Sequence, residues 1–388
     1  MARVCIIQPT LNAVSETFIQ AHGQRLSGVV AVVHRRDGIP WVGERPVMAQ
    51  HAVARAQRKL ARILSRRDWN SEIDAGYKLA IRKSQAQVVL AEYGMTGVRV
   101  ANACRQARVP LVVHFHGYDA SERSVIEQYA DAYQRMFQQA VAVIGVSRAM
   151  ESQLLALGCP REKLIYLPYG IDCERFEGAR PANAAPNFVA VGRFVEKKAP
   201  HLTLLAFARV VAKCPDATLR MIGDGLLSGV CRDLVRGLGI EDKVAFLGSQ
   251  PHDVVRKEML RARAFVQHSV VASNGDSEGT PVAVLEAGAM GLPVLATKHA
   301  GIPDVVVDNK TGLLVNERDV VSMSEHMLTL VHNPAFAGEL GRNAAAHVRK
   351  YYTIEDSLKR LARVLAAGAV RESMQSVRDD IEKEFPVQ

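Results

Sequence analysis

The sequence predicts an α/β protein of two doubly wound domains that face each other across a cleft, and three observations lead there. Short β-rich apolar runs alternate with helix-length segments, one proline-containing stretch interrupts the alternation near the middle, and 388 residues exceed the roughly 100 to 200 expected of one domain. Strands that are apolar throughout need cover on both faces, which a parallel sheet between helices supplies.

The first six runs are "RVCIIQP" (3–9), "VVAVVH" (29–34), "VVLAEYG" (88–94), "LVVHFHG" (111–117), "VAVIGVS" (141–147) and "LIYLPYG" (164–170). The second six are "FVAVGR" (188–193), "TLRMIGDG" (218–225), "VAFLG" (244–248), "AFVQHS" (264–269), "PVLAT" (293–297) and "GLLV" (312–315). Between the two sets, "CERFEGARPANAAPNF" (173–188) carries Pro181 and Pro186 among small and charged residues and reads as a linker. The expected organisation is a first domain at 1–172, a linker at 173–187, a second domain at 188–350, and C-terminal helices at 351–388 that pack back on the first domain. Such folds bind ligands at the C-terminal edges of their strands, so both edges can open into one cleft.

Composition excludes several classes. An apolar content of 48% with 23% charged residues is that of a folded protein. No apolar run approaches the roughly 18 to 20 residues that span a bilayer, and "MARVCIIQPTLN" lacks a signal peptide's length and cleavage site, so a cytoplasmic location is expected. Six scattered cysteines without a C-x-x-C pair suggest reduced, mostly buried thiols.

The densest signal is "SEGTPVAVLEAGAMGLPV" (277–294), which sets Glu278 and Glu286 eight positions apart around an apolar run. Gly279 supplies a joint, Thr280 an N-cap and Pro281 the first helical position, so Glu278 should precede a helix and Glu286 lie within it. A ligand along this helix start, near Val282, can meet a carboxylate at each end and free backbone N–H groups between them. That suits hydroxyls at both ends of a molecule and an anion in its middle. The plainer alternative is a dipole-pairing Glu278 and a solvated Glu286, but the apolar flanks of Glu286 weigh against it. In "VGRFVEKKAPH" (191–201), Arg193, Lys197 and Lys198 surround a second helix start and suit a diphosphate; a solvated basic turn is the alternative. "MIGDGLL" (221–227) ends a strand in G-x-G at Gly223, weak evidence of a ligand-facing turn.

These motifs, in this order and spacing, resemble the retaining family-four glycosyltransferases of the GT-B fold, two Rossmann-like domains across a cleft. The resemblance covers residues 188–350, and the glutamate–seven residues–glutamate pattern in "EGTPVAVLEA" is highly specific in that context. The first domain resembles the family through "SETFI" (15–19), "VVLAEYG", "HFHGYD" (114–119) and "VIGVSRAMESQLLALG" (143–158), in the branch that builds bacterial surface polysaccharides.

The resemblance implies that Arg193 and Lys198 neutralise the donor diphosphate, with N–H groups from the helix start at Gly279, Thr280 and Val282. It implies that Glu286 accepts hydrogen bonds from ribose hydroxyls and that Glu278 meets the donor sugar near the reacting carbon. Ala199 follows Lys198 where many relatives have glycine, a small-for-small exchange expected to have little effect. In "PTLNAVSETF", polar residues stand where the family presents glycines, with Ser15 and Thr17 as candidate phosphate contacts. His116 is placed over the donor sugar and Asp119 beside the acceptor hydroxyl, whereas His114 reads as a packed strand residue. No carboxylate announces itself as a covalent nucleophile, so a front-face route is expected, in which the leaving phosphate helps deprotonate the acceptor. No metal site and no cofactor are expected, because no D-x-D occurs. The resemblance implies a UDP- or GDP-linked sugar as the donor.

A net charge of +9 is concentrated in "RAQRKLARILSRR" (55–67), a basic amphipathic pattern that suits either an anionic membrane surface or a solvated helix face. A peripheral location on the inner face of the cell membrane and a lipid-linked saccharide acceptor follow from the first alternative. Nucleic-acid binding is not expected, since no aromatic interleaving accompanies the charge. The favoured function is a hexosyltransferase of surface-polysaccharide synthesis. A nucleotide-sugar epimerase of the same architecture and a catalytically silent nucleotide-sugar-binding protein are the alternatives; the second should have lost Arg193, Lys198, Glu278 or Glu286, and all are present.

Overall fold

The computed structural model describes residues 1–11, 16–49 and 69–385. Ser15 and the basic segment 55–67 lie outside them. The first sheet contains β1 (Val4–Gln8), β2 (Val29–Arg36), β3 (Ile39–Val42), β4 (Arg45–Pro46), β5 (Val88–Glu92), β6 (Leu111–His114), β7 (Ala142–Gly145) and β8 (Leu164–Tyr166). Their spatial order is β4-β3-β2-β1-β5-β6-β7-β8. The second sheet contains β9 (Asn187–Val191), β10 (Thr218–Ile222), β11 (Val244–Phe246), β12 (Ala264–Gln267), β13 (Val294–Thr297) and β14 (Gly312–Val315), in the order β11-β10-β9-β12-β13-β14. Each strand run read from the sequence is a strand, and the pairings are parallel except at the β2–β3–β4 edge.

The apolar strands are covered on both faces. β1 and β5 are buried along their whole length, with Ile6, Ile7, Val89 and Leu90 sealed from solvent. Each such side chain contributes about 1.5 to 3 kcal/mol when taken from water. The edge strands β3 and β4, which follow β2, were not read as strand. Their signal was Asp37-Gly38, both at positive φ (51° and 80°), the dipeptide that closes a tight hairpin.

Chain reversals locate the cleft. In the first sheet β2 leaves one side of β1 and β5 enters on the other; in the second, β9 separates β10 from β12 in the same way. The loops after β1, β5, β9 and β12 therefore splay apart at the C-terminal strand edges and open a crevice.

The two sheets are joined through several contacts. Ile171 bridges to Thr353, and Arg349 donates to the carbonyls of Ala289 (2.7 Å) and Phe176 (3.3 Å), so the segment after β8 is tied to the second sheet's helices. The helices Ile354–Val370 and Met374–Glu382 lie on the first sheet: Gly368 meets Val112 and Val141, and Arg378 donates to the Arg161 carbonyl at 2.9 Å. The 274–280 loop docks on the first sheet's loops. Arg123 N donates to Asn274 O (2.8 Å), Ser277 N to Ser121 Oγ (3.1 Å), and Thr280 Oγ1 to Val146 O.

Candidate active site

The crevice is a cleft of about 950 Å³ whose two walls differ in chemistry. The wall from the second sheet carries Arg193, Lys197, Lys198, Glu278 and Glu286. The wall from the first sheet is largely aromatic, with Phe18, Tyr93, His116, Tyr118 and Tyr169. A side chamber of about 450 Å³ adjoins it and shares Thr17, Phe18, His252, Val282 and Glu286.

Arg193 follows β9 and is exposed to the cleft, and its side chain makes no hydrogen bond or ion pair among the described residues. The next two cations differ. Lys197 is buried and spent on structure: Nζ lies 2.9 Å from Asp276 Oδ1 and donates to Ser277 O at 3.1 Å. Lys198 Nζ lies 2.9 Å from Glu278 Oε1. Burial acts to raise the Glu278 pKa, but Lys198 and Lys197 outweigh it and hold the carboxyl below its ordinary range. Glu278 is also fixed through its backbone N–H, which donates to His299 Nε2 at 3.2 Å. Ala199 takes a left-handed conformation (φ 36°), so conformation rather than size explains why glycine suits this position.

The helix carrying Glu286 spans Val282–Met290. Thr280 is not its N-cap. Pro281 is extended (φ −78°, ψ 102°), so the helix begins one residue later than the sequence suggested, and the Thr280 hydroxyl is committed to Val146 O. Val282 and Ala283 line the cleft in the first turn, where backbone N–H groups have no intrahelical acceptor. Gly279 stands where a Cβ would meet His116 O at 2.5 Å, which lets this loop approach the first domain. Glu286 is buried at 8% exposure, with no hydrogen-bond partner among the described residues, and His252 Nδ1 lies 3.9 Å from its Oε1. Burial pushes its pKa up to about 7, and Arg175 only partly opposes this. Of the two glutamates, one is an anion paired with a lysine and the other is a carboxyl of raised pKa, without a hydrogen bond among the described residues, facing the cleft.

Several expected contacts fall elsewhere. Gly223 (φ 135°) does not line the cleft; a Cβ there would sit 1.9 Å from Gly192 O, so the glycine supports the loop bearing Arg193 from behind. Asp119 is fully buried and is not among the residues that line the cleft. Its carboxylate accepts from Gly94 N (2.8 Å), His116 N (2.9 Å) and Gly117 N (3.0 Å), which fixes the turn after β6. Thr17 opens the Thr17–Arg25 helix at the border of cleft and chamber. Beside it the Glu16 carboxylate accepts from Tyr93 OH at 2.8 Å, so the first loop offers a phosphate negative charge, and the cationic wall is the better place for one.

His116 lines the cleft, but neither ring nitrogen is free. Nε2 lies 2.8 Å from Glu92 Oε2 and Nδ1 2.7 Å from Tyr169 OH. A direct imidazole bond to a sugar therefore needs one of these partners to be displaced. Glu92, Tyr169 and Tyr93 were missed in the sequence, although a carboxylate ending the apolar run "VVLAE" needs a partner and was a legible signal. Glu92 is sealed from solvent and also lies 2.8 Å from His22 Nδ1 and 3.6 Å from His114 Nδ1. The ligand-type atoms of His22, Glu92 and His114 fall within 4.8 Å of one another, a grouping invisible in the sequence. The two rings face different oxygens of the carboxylate.

With this geometry in place, similarity to known proteins is informative. Residues 21–175 match the family model Glycosyltransferase Family 4, and residues 174–347 match Glycosyl transferases group 1. The amylovoran biosynthesis glycosyltransferase AmsK of Erwinia amylovora is 31% identical over 288 residues, covering 72% of this chain and 70% of that protein. The chain belongs to the family-four glycosyltransferases of the GT-B fold. A putative colanic acid biosynthesis glycosyltransferase, WcaL of Escherichia coli, is 33% identical over 248 residues, covering 63% of this chain and 61% of that protein. Anabaena HepE in complex with UDP superimposes with a TM-score of 0.75 over 94% of this chain and 100% of that one, at 17% identity, a likeness of fold. Sucrose-phosphate synthase from Thermosynechococcus elongatus shares the fold at a TM-score of 0.69 over 94% of this chain and 98% of that one, with 18% identity. Among the described residues of this family member, no helix is long and apolar enough to cross a membrane.

Proposed function

We propose that the protein is a retaining hexosyltransferase that moves a sugar from a UDP- or GDP-linked donor to a saccharide acceptor in surface-polysaccharide synthesis. The observation that carries this reading is the contrast along one wall: Arg193 without a partner among the described residues, Lys198 beside the ionised Glu278, the open helix start at Val282, and the raised-pKa carboxyl of Glu286. The donor diphosphate lies against Arg193, Lys198 and the N–H groups of Val282 and Ala283; ribose hydroxyls reach Glu286; the sugar meets Glu278. In this assignment the second domain (188–350) holds the donor and the first (1–172) the acceptor. The Glu92-bound His116 borders the sugar through its ring face and carbonyl.

Developing charge on the leaving diphosphate is stabilised by groups already oriented, which is the principal source of rate. Glu278 is occupied by Lys198, so the reading assigns deprotonation of the acceptor hydroxyl to a phosphate oxygen on the same face as the departing bond, which retains configuration. Relatives named for colanic acid and amylovoran biosynthesis support the polymer class. The basic segment 55–67 supports a lipid-linked acceptor at an anionic membrane surface on the cytoplasmic side. Incubation with UDP- and GDP-hexoses and a lipid-linked acceptor extract tests the reading: sugar transfer with an unchanged anomer is expected, and conversion of donor to its epimer without acceptor would contradict it.

A further inference from the structure

A buried chain of hydrogen bonds runs from the interior of the first domain to its cleft wall. It starts at Glu92, passes through His116 and ends at Tyr169, with links of 2.8 and 2.7 Å. Its inner end is fixed by His22 at 2.8 Å from the other Glu92 oxygen. Its outer end is held by Phe18, whose ring stacks on Tyr169 at 4.0 Å and 11°. Burial would raise the Glu92 pKa, yet the charge of His22 and the hydrogen bonds of His116 and His22 overcome it and keep the carboxylate ionised.

The ionised carboxylate only accepts, so His116 Nε2 carries the proton. In the tautomer with its proton on Nε2, the ring offers a lone pair at Nδ1, and Tyr169 turns its hydroxyl proton inward to it. What the phenol has left for the cleft is an acceptor oxygen. The same turn abuts the donor loop, since Gly279, next to Glu278, stands where a Cβ would touch His116 O.

We infer that Tyr169 is a donor-sugar contact whose oxygen accepts a hydrogen bond from a hydroxyl of the transferred sugar, with Glu92 and His116 as positioning residues that fix its polarity. This rests on the proposed donor site. The Tyr169 oxygen selects for a hydroxyl on the sugar face it meets, because an unpaired buried acceptor there is costly.

The test compares nucleotide with nucleotide sugar by titration calorimetry, using UDP, UDP-glucose, GDP and GDP-mannose on the full chain. Tyr169→Phe keeps the ring stack and should leave affinity for the bound nucleoside diphosphate within about twofold while weakening the nucleotide sugar about tenfold. Glu92→Gln lets the His116 tautomer reverse and should produce a similar selective loss. The double variant should be no worse than Tyr169→Phe alone, which a merely structural role for Glu92 would not give. If Tyr169→Phe leaves the ratio of the two affinities unchanged, the assignment is wrong, and that variant decides even if Glu92→Gln does not fold. If neither nucleotide binds the native protein, the donor-site reading falls and this inference with it.

Discussion

Lys198 Nζ lies 2.9 Å from Glu278 Oε1, so the cation proposed for the donor diphosphate is shared with the carboxylate proposed for the donor sugar. Donor binding must therefore redistribute one positive charge between two anions. Arg193, with no partner among the described residues, carries no such coupling.

That difference separates two variants. Arg193→Ala should reduce turnover at least about tenfold with an unchanged melting temperature, since it removes one charge-assisted contact to the diphosphate. Lys198→Ala should reduce turnover similarly and also cost about 2 kcal/mol of stability, because Glu278 is left buried without its partner. Steady-state rates and thermal melts check both.

Glu278→Ala and Glu286→Ala should divide binding from chemistry. Losing Glu278 releases Lys198, so nucleoside diphosphate affinity should hold or tighten while transfer falls. Losing Glu286 should weaken the nucleoside diphosphate itself. Equal losses of nucleoside diphosphate affinity would show the ligand runs another way.

Glu286 also predicts a pH dependence. Its carboxyl rises from an ordinary 4.5 to about 7 in the folded protein, so the folded state holds the proton more tightly than the unfolded chain. Its contribution to stability is then greatest below about pH 4.5 and is lost as pH rises through about 7, by up to about 3 kcal/mol. Glu286→Gln should accordingly melt higher than the native protein at pH 8 and equally at pH 4.5. Nucleoside diphosphate affinity of the native protein should rise between pH 6 and 8 (about one unit either side of that pKa), as the ionised form becomes available to the ribose hydroxyls, and the variant should lose this rise.

Asp119→Asn tests the structural role assigned to that residue. It removes the charge from a carboxylate that accepts three backbone N–H groups, and should cost about 2 kcal/mol or more. Acceptor KM should change no more than donor KM. A selective loss of acceptor affinity in a fully folded variant would return Asp119 to the acceptor.

What the sequence disclosed follows from the range of the forces involved. Strands of "VVLAE" or "LVVH" type are legible because local apolar continuity reports two-sided burial, and Glu278 and Glu286 because one helix fixes their spacing. The Glu92–His116–Tyr169 chain was not legible, since its members come from three strand ends separated by 24 and 53 positions. Asp119 was misread partly for the same reason: Gly94, 25 positions away, comes within reach only once β5 and β6 lie side by side, although His116 N and Gly117 N, three and two positions back, form a local turn that was open to reading. At Thr280 a local rule failed, because a contact across the domains to Val146 took the hydroxyl that would have capped the helix.

The membrane proposal stands on residues 55–67 of the sequence alone. Replacing Arg58, Lys59, Arg62 and Arg66 by glutamine should abolish salt-sensitive cosedimentation with anionic vesicles. No cosedimentation of the native protein at low salt would point to a soluble acceptor.

The central claim is that the cationic wall of the second domain is a nucleotide-sugar site. Titration calorimetry of UDP and GDP against the native protein, Arg193→Ala and Glu286→Ala at pH 8 measures it most directly. One nucleotide should bind the native protein, and each variant should bind it at least about tenfold more weakly. Absence of binding by both nucleotides, or unchanged affinity in both variants, would contradict the account.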